Sequence, residues 1–334
     1  MKYGPLIIPL ILYMILISIR YINPQLSQLT SYIAFYVALG QAFNIFLGLT
    51  GYVDFGYVAF MALGMYGMAL TTVNIHNILV GVIDQHLRIY LLVIMGTLLG
   101  ISFAVILASI VGSIALRLRG AYFAIATIGV NEGFRYLIEG SGMWRGSEGI
   151  IIAKDLIELY GYEGMTYIST EVADLMLIAI GIIGMLITYV IITSKMGYAL
   201  AALRDDEDTA KIFGINTTKY KVFAFIISAA LAGMLGAAKM LKDQAVFPPQ
   251  AFFIMYTIEA IVVVILGGIG TVIGPLIGGV LYSLLKYYLT VIIPGIQLLL
   301  LAPILIIVIL AFPSGIVGFI KKVFKSNRVK RLVI

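Results

Sequence analysis

DLMLIAIGIIGMLITYVIIT (174–193), SKMGYALAALRDDEDTAKIFGINTTKYK (194–221) and VFAFIISAALAGMLGAAKML (222–241) follow one another without interruption. The outer two are apolar over the roughly 20 residues that a bilayer-crossing helix needs. In lipid the backbone polar groups must be paired within the segment, which makes helix the default for each. The middle stretch is a polar island between two membrane helices, the obvious place for a partner to dock.

The same alternation runs through the chain. Hydrophobic residues make up 62% of it and charged residues 11%, the composition of a polytopic membrane protein. An outer-membrane barrel is excluded, because the runs do not alternate apolar and polar. Apolar runs predict helices near 5–22, 31–49, 54–73, 90–116, 120–138, 174–193, 220–241, 253–267, 273–291 and 297–313. The expected fold class is all-α: a transmembrane bundle of about ten segments with one short cytoplasmic helix. A transmembrane domain over 1–318 holds a cytoplasmic loop at 194–221 and an external loop at 139–173, and a basic cytoplasmic tail follows at 319–334. Lys2 precedes the first run, which ends in Arg20 and Tyr21 without an A-x-A site, so a retained helix is expected rather than a cleaved signal.

Basic residues orient the bundle. With both termini in the cytoplasm, Lys2, Arg117, Arg119, Lys195, Arg204, Lys211, Lys219, Lys221, Lys321, Lys322, Lys325, Arg328, Lys330 and Arg331 all face inward, out of 22 Lys and Arg in total. The net charge of +6 is then mostly a topology signal, with a tail suited to anionic lipid headgroups. Nucleic-acid binding has no support. The outer loop carries Glu139, Glu148, Asp155, Glu158, Glu163 and Glu171 against Arg145 and Lys154. It reads as a solvated loop with a short helix, or as a docking surface for an external partner.

Cysteine is absent, so disulfides, thiol nucleophiles and thiolate metal sites are excluded. His76 and His86, read as one polar loop with Asp84 between them, are too thin a set for a metal site. No catalytic cluster and no metal site is expected on this chain.

Glycine breaks the helical pattern twice. Gly48-Leu49-Thr50-Gly51 is followed by Asp54 and Gly56, and Gly267-Gly268-Ile269-Gly270 by Gly274 and Pro275. Paired interruptions in a transporter point toward the substrate path, and tight turns between helical hairpins are the alternative. Gly51, Asp54, Gly56, Gly267, Gly268 and Gly270 are therefore candidates for the path, Asp54 as an acid beside an apolar stretch. Close packing is also expected, from the four-residue spacing of Ala229, Gly233 and Ala237 and of Gly274 and Gly278.

Within the polar island, Asp205, Asp206, Glu207 and Asp208 suit a helix N-terminus, Lys211 the last turn and Gly214 a left-handed cap. A short helix over Asp205–Phe213 is predicted, with Asn216, Thr217 or Thr218 capping the next helix. Asp208-Thr209-Ala210-x-x-x-Gly214 resembles the E-A-A-x-x-x-G loop of ABC importer permeases, with Thr209 at the first alanine. With the flanks Ser194 to Glu207, Gly214-Ile215-Asn216 and Ser228 to Gly233, the chain resembles the branched-chain amino acid ABC permease family, LivM-like branch. Gly48-Leu49-Thr50-Gly51, Leu116 to Thr127, Glu132 with Arg135, and Val264 to Thr271 agree in order, over most of 40–315. Two departures stand out: Arg145-Gly146-Ser147-Glu148-Gly149-Ile150 replaces a Gly-Gly-Ser-x-Gly-Ile stretch, and Asp54 stands where a small polar residue is commoner.

The resemblance implies a permease subunit in the cell membrane that pairs with a second, related permease, two cytoplasmic ATPases and an external solute-binding protein, for leucine, isoleucine or valine. The chain has no G-x-x-x-x-G-K-[ST] phosphate loop, so ATP and Mg would sit on the ATPase chains. Arg204, Asp205, Asp206, Glu207, Asp208, Ala210 and Gly214 would couple to the ATPase, the first five by polar contacts, Ala210 and Gly214 by permitting close approach. Three alternatives are a urea or amide permease of the same family, an ion-coupled secondary transporter using Asp54 and Glu259, and a membrane-bound enzyme for which no catalytic cluster is found. Glu132 has Arg135 one turn away as a structural partner, and Glu259 reads either as a lone buried acid or as a residue near the outer helix end.

Overall fold

The computed structural model describes residues 4–22, 26–79, 85–292, 299, 302–303, 306, 310 and 314–323. In chain order its helices are α1 (Gly4–Ile22), α2 (Ser27–Asn44), α3 (Leu47–Thr50), α4 (Val58–Leu79), α5 (Gln85–Ala115), α6 (Ala121–Ser141), α7 (Ala153–Tyr167) and α8 (Ala173–Thr193). Then come α9 (Lys195–Asp205), α10 (Glu207–Ile212), α11 (Thr217–Asp243), α12 (Pro248–Ala251), α13 (Met255–Gly267), α14 (Gly274–Ile292) and α15 (Gly315–Val323). Two dipeptide strands, β1 (Ile150–Ile151) and β2 (Ala245–Val246), pair antiparallel. The protein is an all-α polytopic bundle: six helices among the described residues are long and apolar enough to cross a membrane, and Pro9–Ile22 and Val58–Asn74 are shorter apolar helices.

Within the described residues the apolar runs are largely helical, with informative differences at their ends. The run at 31–49 divides into α2 and α3 at residues 45–46, and the run at 54–73 becomes helical only from Val58, after the turn that holds Asp54 and Gly56. The run at 120–138 is helical as α6 but falls outside the six, since Glu132, Arg135 and Glu139 dilute its apolar character. The run at 297–313 lies mostly outside the described residues, and the tail beyond Val323 wholly so. His76 falls in α4 and His86 in α5, not in a shared loop, while Asp84 is outside the described residues.

The chain divides into two compact units, one of residues 1–51, 178–220 and 258–334, the other of 52–177 and 221–257. In the first, α2 lies against α14: a Cβ on Gly279 would sit 2.7 Å from the Val37 Cα. Gly278 of α14 lies against the backbone of Val263 and Gly267 in α13, and Gly40 of α2 against Val263. In the second unit α4, α5 and α11 meet through small residues. A Cβ on Gly67 would sit 2.5 Å from the Gly100 Cα, and one on Gly233 would sit 2.8 Å from the Gly100 carbonyl oxygen and 3.0 Å from the Ala104 Cβ. Ala229 and Ala237 are fully buried on the same helix as Gly233. Such small residues let backbones meet where lipid supplies no hydrophobic drive between helices.

Candidate functional site

In the first unit the two glycine breaks come together under the polar island. Asn44, at the end of α2, accepts from the Gly270 N–H (2.9 Å) and donates to the Thr271 carbonyl (3.1 Å). Gln41, one turn earlier, donates to the Val272 carbonyl (3.1 Å). Thr271 donates to the Gly268 carbonyl and accepts from the Gly274 N–H. The unwound stretch between α13 and α14 therefore has side-chain partners for its backbone, which buried non-helical chain requires.

Arg204, in the last turn of α9, closes this arrangement from the polar island. Its Nη1 donates to the Gly48 carbonyl at 2.7 Å. The same nitrogen lies 2.7 Å from where a Cβ on Gly270 would be, and the Arg204 Cγ 3.3 Å from where one on Gly51 would be. Gly270 has φ +71° as well, so both backbone conformation and crowding demand glycine there. A cavity of about 360 Å³ opens beside the contact, lined by Gly48, Leu49, Tyr198, Ala201, Arg204 and Gly270 among others. One guanidinium thus touches both breaks from the segment between the two membrane helices.

The polar island is two helices where one was predicted. Asp205 ends α9, Asp206 is extended (φ −158°, ψ 111°), and its carboxylate accepts from the Thr209 N–H at 2.7 Å to cap α10. Glu207 pairs with Lys211 at 3.0 Å and accepts from the Thr217 hydroxyl at 3.2 Å. Gly214 takes the left-handed cap (φ +81°), the Ile215 N–H returns to the Ala210 carbonyl at 3.1 Å, and Asn216 caps α11 through the Lys219 N–H at 3.1 Å. Ala210 is buried within its own unit, while Asp205, Asp206 and Asp208 are exposed. The most exposed apolar side chains of this segment are Ile212 (84%) and Phe213 (80%), neither of which the sequence analysis singles out. Two large apolar residues side by side at the tip of a polar loop were the available signal.

Asp54 and Gly56 belong to the second unit, apart from Gly51, Gly267, Gly268 and Gly270 in the first. Asp54 is 1% exposed, and its Oδ1 accepts from the Gly56 N–H at 2.9 Å. Thr127 of α6 accepts from the Phe55 N–H, and Thr257 of α13 from the Val58 N–H, each at 3.1 Å. These side chains satisfy donors at the start of α4 that have no partner within the helix. Gly56 packs against the Thr127 backbone so closely that a Cβ would sit 2.9 Å from its carbonyl carbon.

Of the two acids weighed as ion-coupling groups, Asp54 and Glu259, the second is paired. Glu259 accepts from the Tyr36 hydroxyl at 2.9 Å and forms an ion pair with Lys286, which also donates to Tyr36 at 2.7 Å. Glu259 is therefore not a lone acid. Its partner was not legible because Lys286 lies 27 positions away, on another helix. Glu132 pairs with Arg135 at 3.3 Å, as its spacing implied.

Comparison with known proteins gives one consistent answer. The model of a family described as branched-chain amino acid transport system, permease component, matches residues 25–310. The high-affinity branched-chain amino acid transport system permease protein LivM of Salmonella typhimurium is 28% identical over 268 residues, 74% of this chain and 59% of that protein. LivM of Escherichia coli K12 is 28% identical over 71% of this chain and 57% of its own length. A probable branched-chain amino acid transport permease protein LivH of Methanocaldococcus jannaschii is 33% identical over 39% of this chain and 40% of its own. The chain spans less than two thirds of the length of these relatives. No solved structure matches it.

Proposed function

Because the chain belongs to the family of branched-chain amino acid transport system permease components, we propose that it is a translocation subunit of an ATP-driven importer for leucine, isoleucine and valine. It works with a second permease, two ATPases that carry ATP and Mg, and an external solute-binding protein, in the cell membrane with both termini cytoplasmic. The relatives are named for branched-chain amino acids, which favours those substrates over urea or amides.

The observation that carries the coupling role is the bond from Arg204 to the Gly48 carbonyl at 2.7 Å. α10 presents Ile212 and Phe213 outward for the ATPase, and α9 ends in Arg204, which touches both glycine breaks. Arg204 thus acts inward, and the apolar pair with the exposed acids supplies the ATPase contact. Rotation of the docked helix on ATP binding pulls the Gly48 and Gly270 backbones, opening or closing the path. Asp54 and Gly56 remain candidates for lining the path. Pairing of Glu259 with Lys286 gives a neutral group and speaks against an ion-coupled mechanism centred on that acid.

The test is co-purification of the tagged chain from its native membrane, beside Ile212→Asp/Phe213→Asp. We expect two ATPases and a second permease with the wild type, and no ATPases with the variant. Recovery of the chain alone in both cases would overturn the importer reading.

A further inference from the structure

The C-terminal end of α11, the end away from Thr217, carries a cavity of about 390 Å³ that the coupling argument does not use. That volume lies in the range of roughly 300–1,000 Å³ typical of small-ligand sites. Its charged wall is Lys239 and Asp243, paired at 2.8 Å, with side chains 15% and 39% exposed. The Lys239 ammonium also lies 5.1 Å above the Tyr256 ring. Gln250 adds an amide at the rim, and Met65, Phe247 and Phe253 supply apolar surface.

Neighbouring contacts hold the cavity in shape. Gln244 takes φ +59°, reversing the chain from α11 into β2, and its carbonyl accepts from the Ile152 N–H at 2.9 Å. β1, which belongs to the outer loop, pairs with β2, and Gly149 lets it approach, since a Cβ there would sit 2.6 Å from Phe247 Cδ1. Asn131 of α6 donates to the Phe252 carbonyl at 3.0 Å, fixing the chain after α12. Lys242, beside Asp243, is bound instead to the fully buried Asp174 at 2.9 Å. The second lysine of the helix end is thus neutralised elsewhere, while Lys239, held by both Asp243 and the Tyr256 side chain, lines the cavity.

We propose that this cavity binds the zwitterion of an amino acid with an apolar side chain, an inference that rests on the importer reading and locates an external substrate site for it. The substrate carboxylate meets Lys239 and the Gln250 amide, its ammonium meets the more exposed Asp243, and its side chain lies among Met65, Phe247 and Phe253. A neutral ion pair accepts a net-neutral zwitterion with every charge matched. An amine or a carboxylic acid of the same skeleton leaves one charge of the pair unmatched. The outer loop reaches the cavity through β1, on the side where a binding protein delivers its cargo.

The assembled transporter, reconstituted in proteoliposomes with its binding protein, is tested for uptake of L-leucine as wild type, Lys239→Met, Asp243→Asn and Gln250→Trp. Gln250 is exposed, so the tryptophan fills the cavity while leaving the ion pair and the fold alone. Each variant is expected to raise the half-saturating leucine concentration about tenfold, the size of one lost charged hydrogen bond. L-leucine should compete for uptake where 4-methylpentanoate and isoamylamine do not. Wild-type uptake of leucine together with unchanged uptake in all three variants overturns the site and leaves the importer reading standing. No uptake of any branched-chain amino acid by the wild type overturns the importer reading and the site with it.

Discussion

Lys286 and Glu259 form a buried charge pair with Tyr36 bridging them, and such pairs are unequal in how they fail. Removing one partner strands a buried charge, at a cost of about 3–5 kcal/mol, whereas removing both is close to neutral. Lys286→Met should therefore lower the thermal midpoint of the detergent-solubilised chain strongly, and Lys286→Met/Glu259→Gln should recover most of it. An equal loss in both variants would mean that the pair is not what stabilises this cluster. Asp54 divides differently, because its Oδ1 serves the Gly56 N–H and an asparagine keeps that acceptor. Asp54→Asn should melt like the wild type, while Asp54→Leu should lose about 1–3 kcal/mol by leaving a buried N–H unmatched. Uptake by Asp54→Asn then reports the charge alone: a fall supports a place on the path, and wild-type uptake reduces Asp54 to a turn residue.

The α9–α10 pair turns on Arg204, Asp206 and Gly214. Loss of the Asp206 cap should cost about 1 kcal/mol of local helix stability, and a β-branched residue at Gly214, with φ +81°, roughly 1–2 kcal/mol. Arg204→Ala should keep the ATPases bound, since Ile212 and Phe213 are untouched, but separate ATP hydrolysis from uptake. Retained uptake at the wild-type rate would show that the Gly48 contact transmits nothing. Most of this element was legible: the acids, the left-handed glycine and the Asn216 cap all act locally. The division at Asp206 was not, because a run of four acids reads as one helix start, whereas only one of them can occupy the cap.

Each compact unit is assembled from discontinuous stretches of chain, and the orientation of the whole in the membrane rests on its basic residues. The lack of native cysteine makes that orientation directly testable. If the 139–173 segment faces outward, a single cysteine at Tyr162, 71% exposed in α7, should react with a membrane-impermeant maleimide on intact cells. One at Thr209, exposed in α10, should react only after permeabilisation. The reverse pattern would invert the topology and remove the argument for α10 as the ATPase contact.

By itself the sequence determined that this is a helical membrane protein, where most of its helices run, where glycine interrupts them, and which polar segment joins two of them. Those features follow from local rules, because a backbone in lipid must satisfy its own hydrogen bonds within each segment. Only the tertiary structure decided that Arg204 reaches Gly48, 156 positions away, and that Asn44 ties down the second break. It also decided that Glu259 has a partner, and that Lys239 and Asp243 face a cavity. These contacts depend on which helix faces meet, and small residues spaced along several helices permit many such pairings until the whole set packs at once.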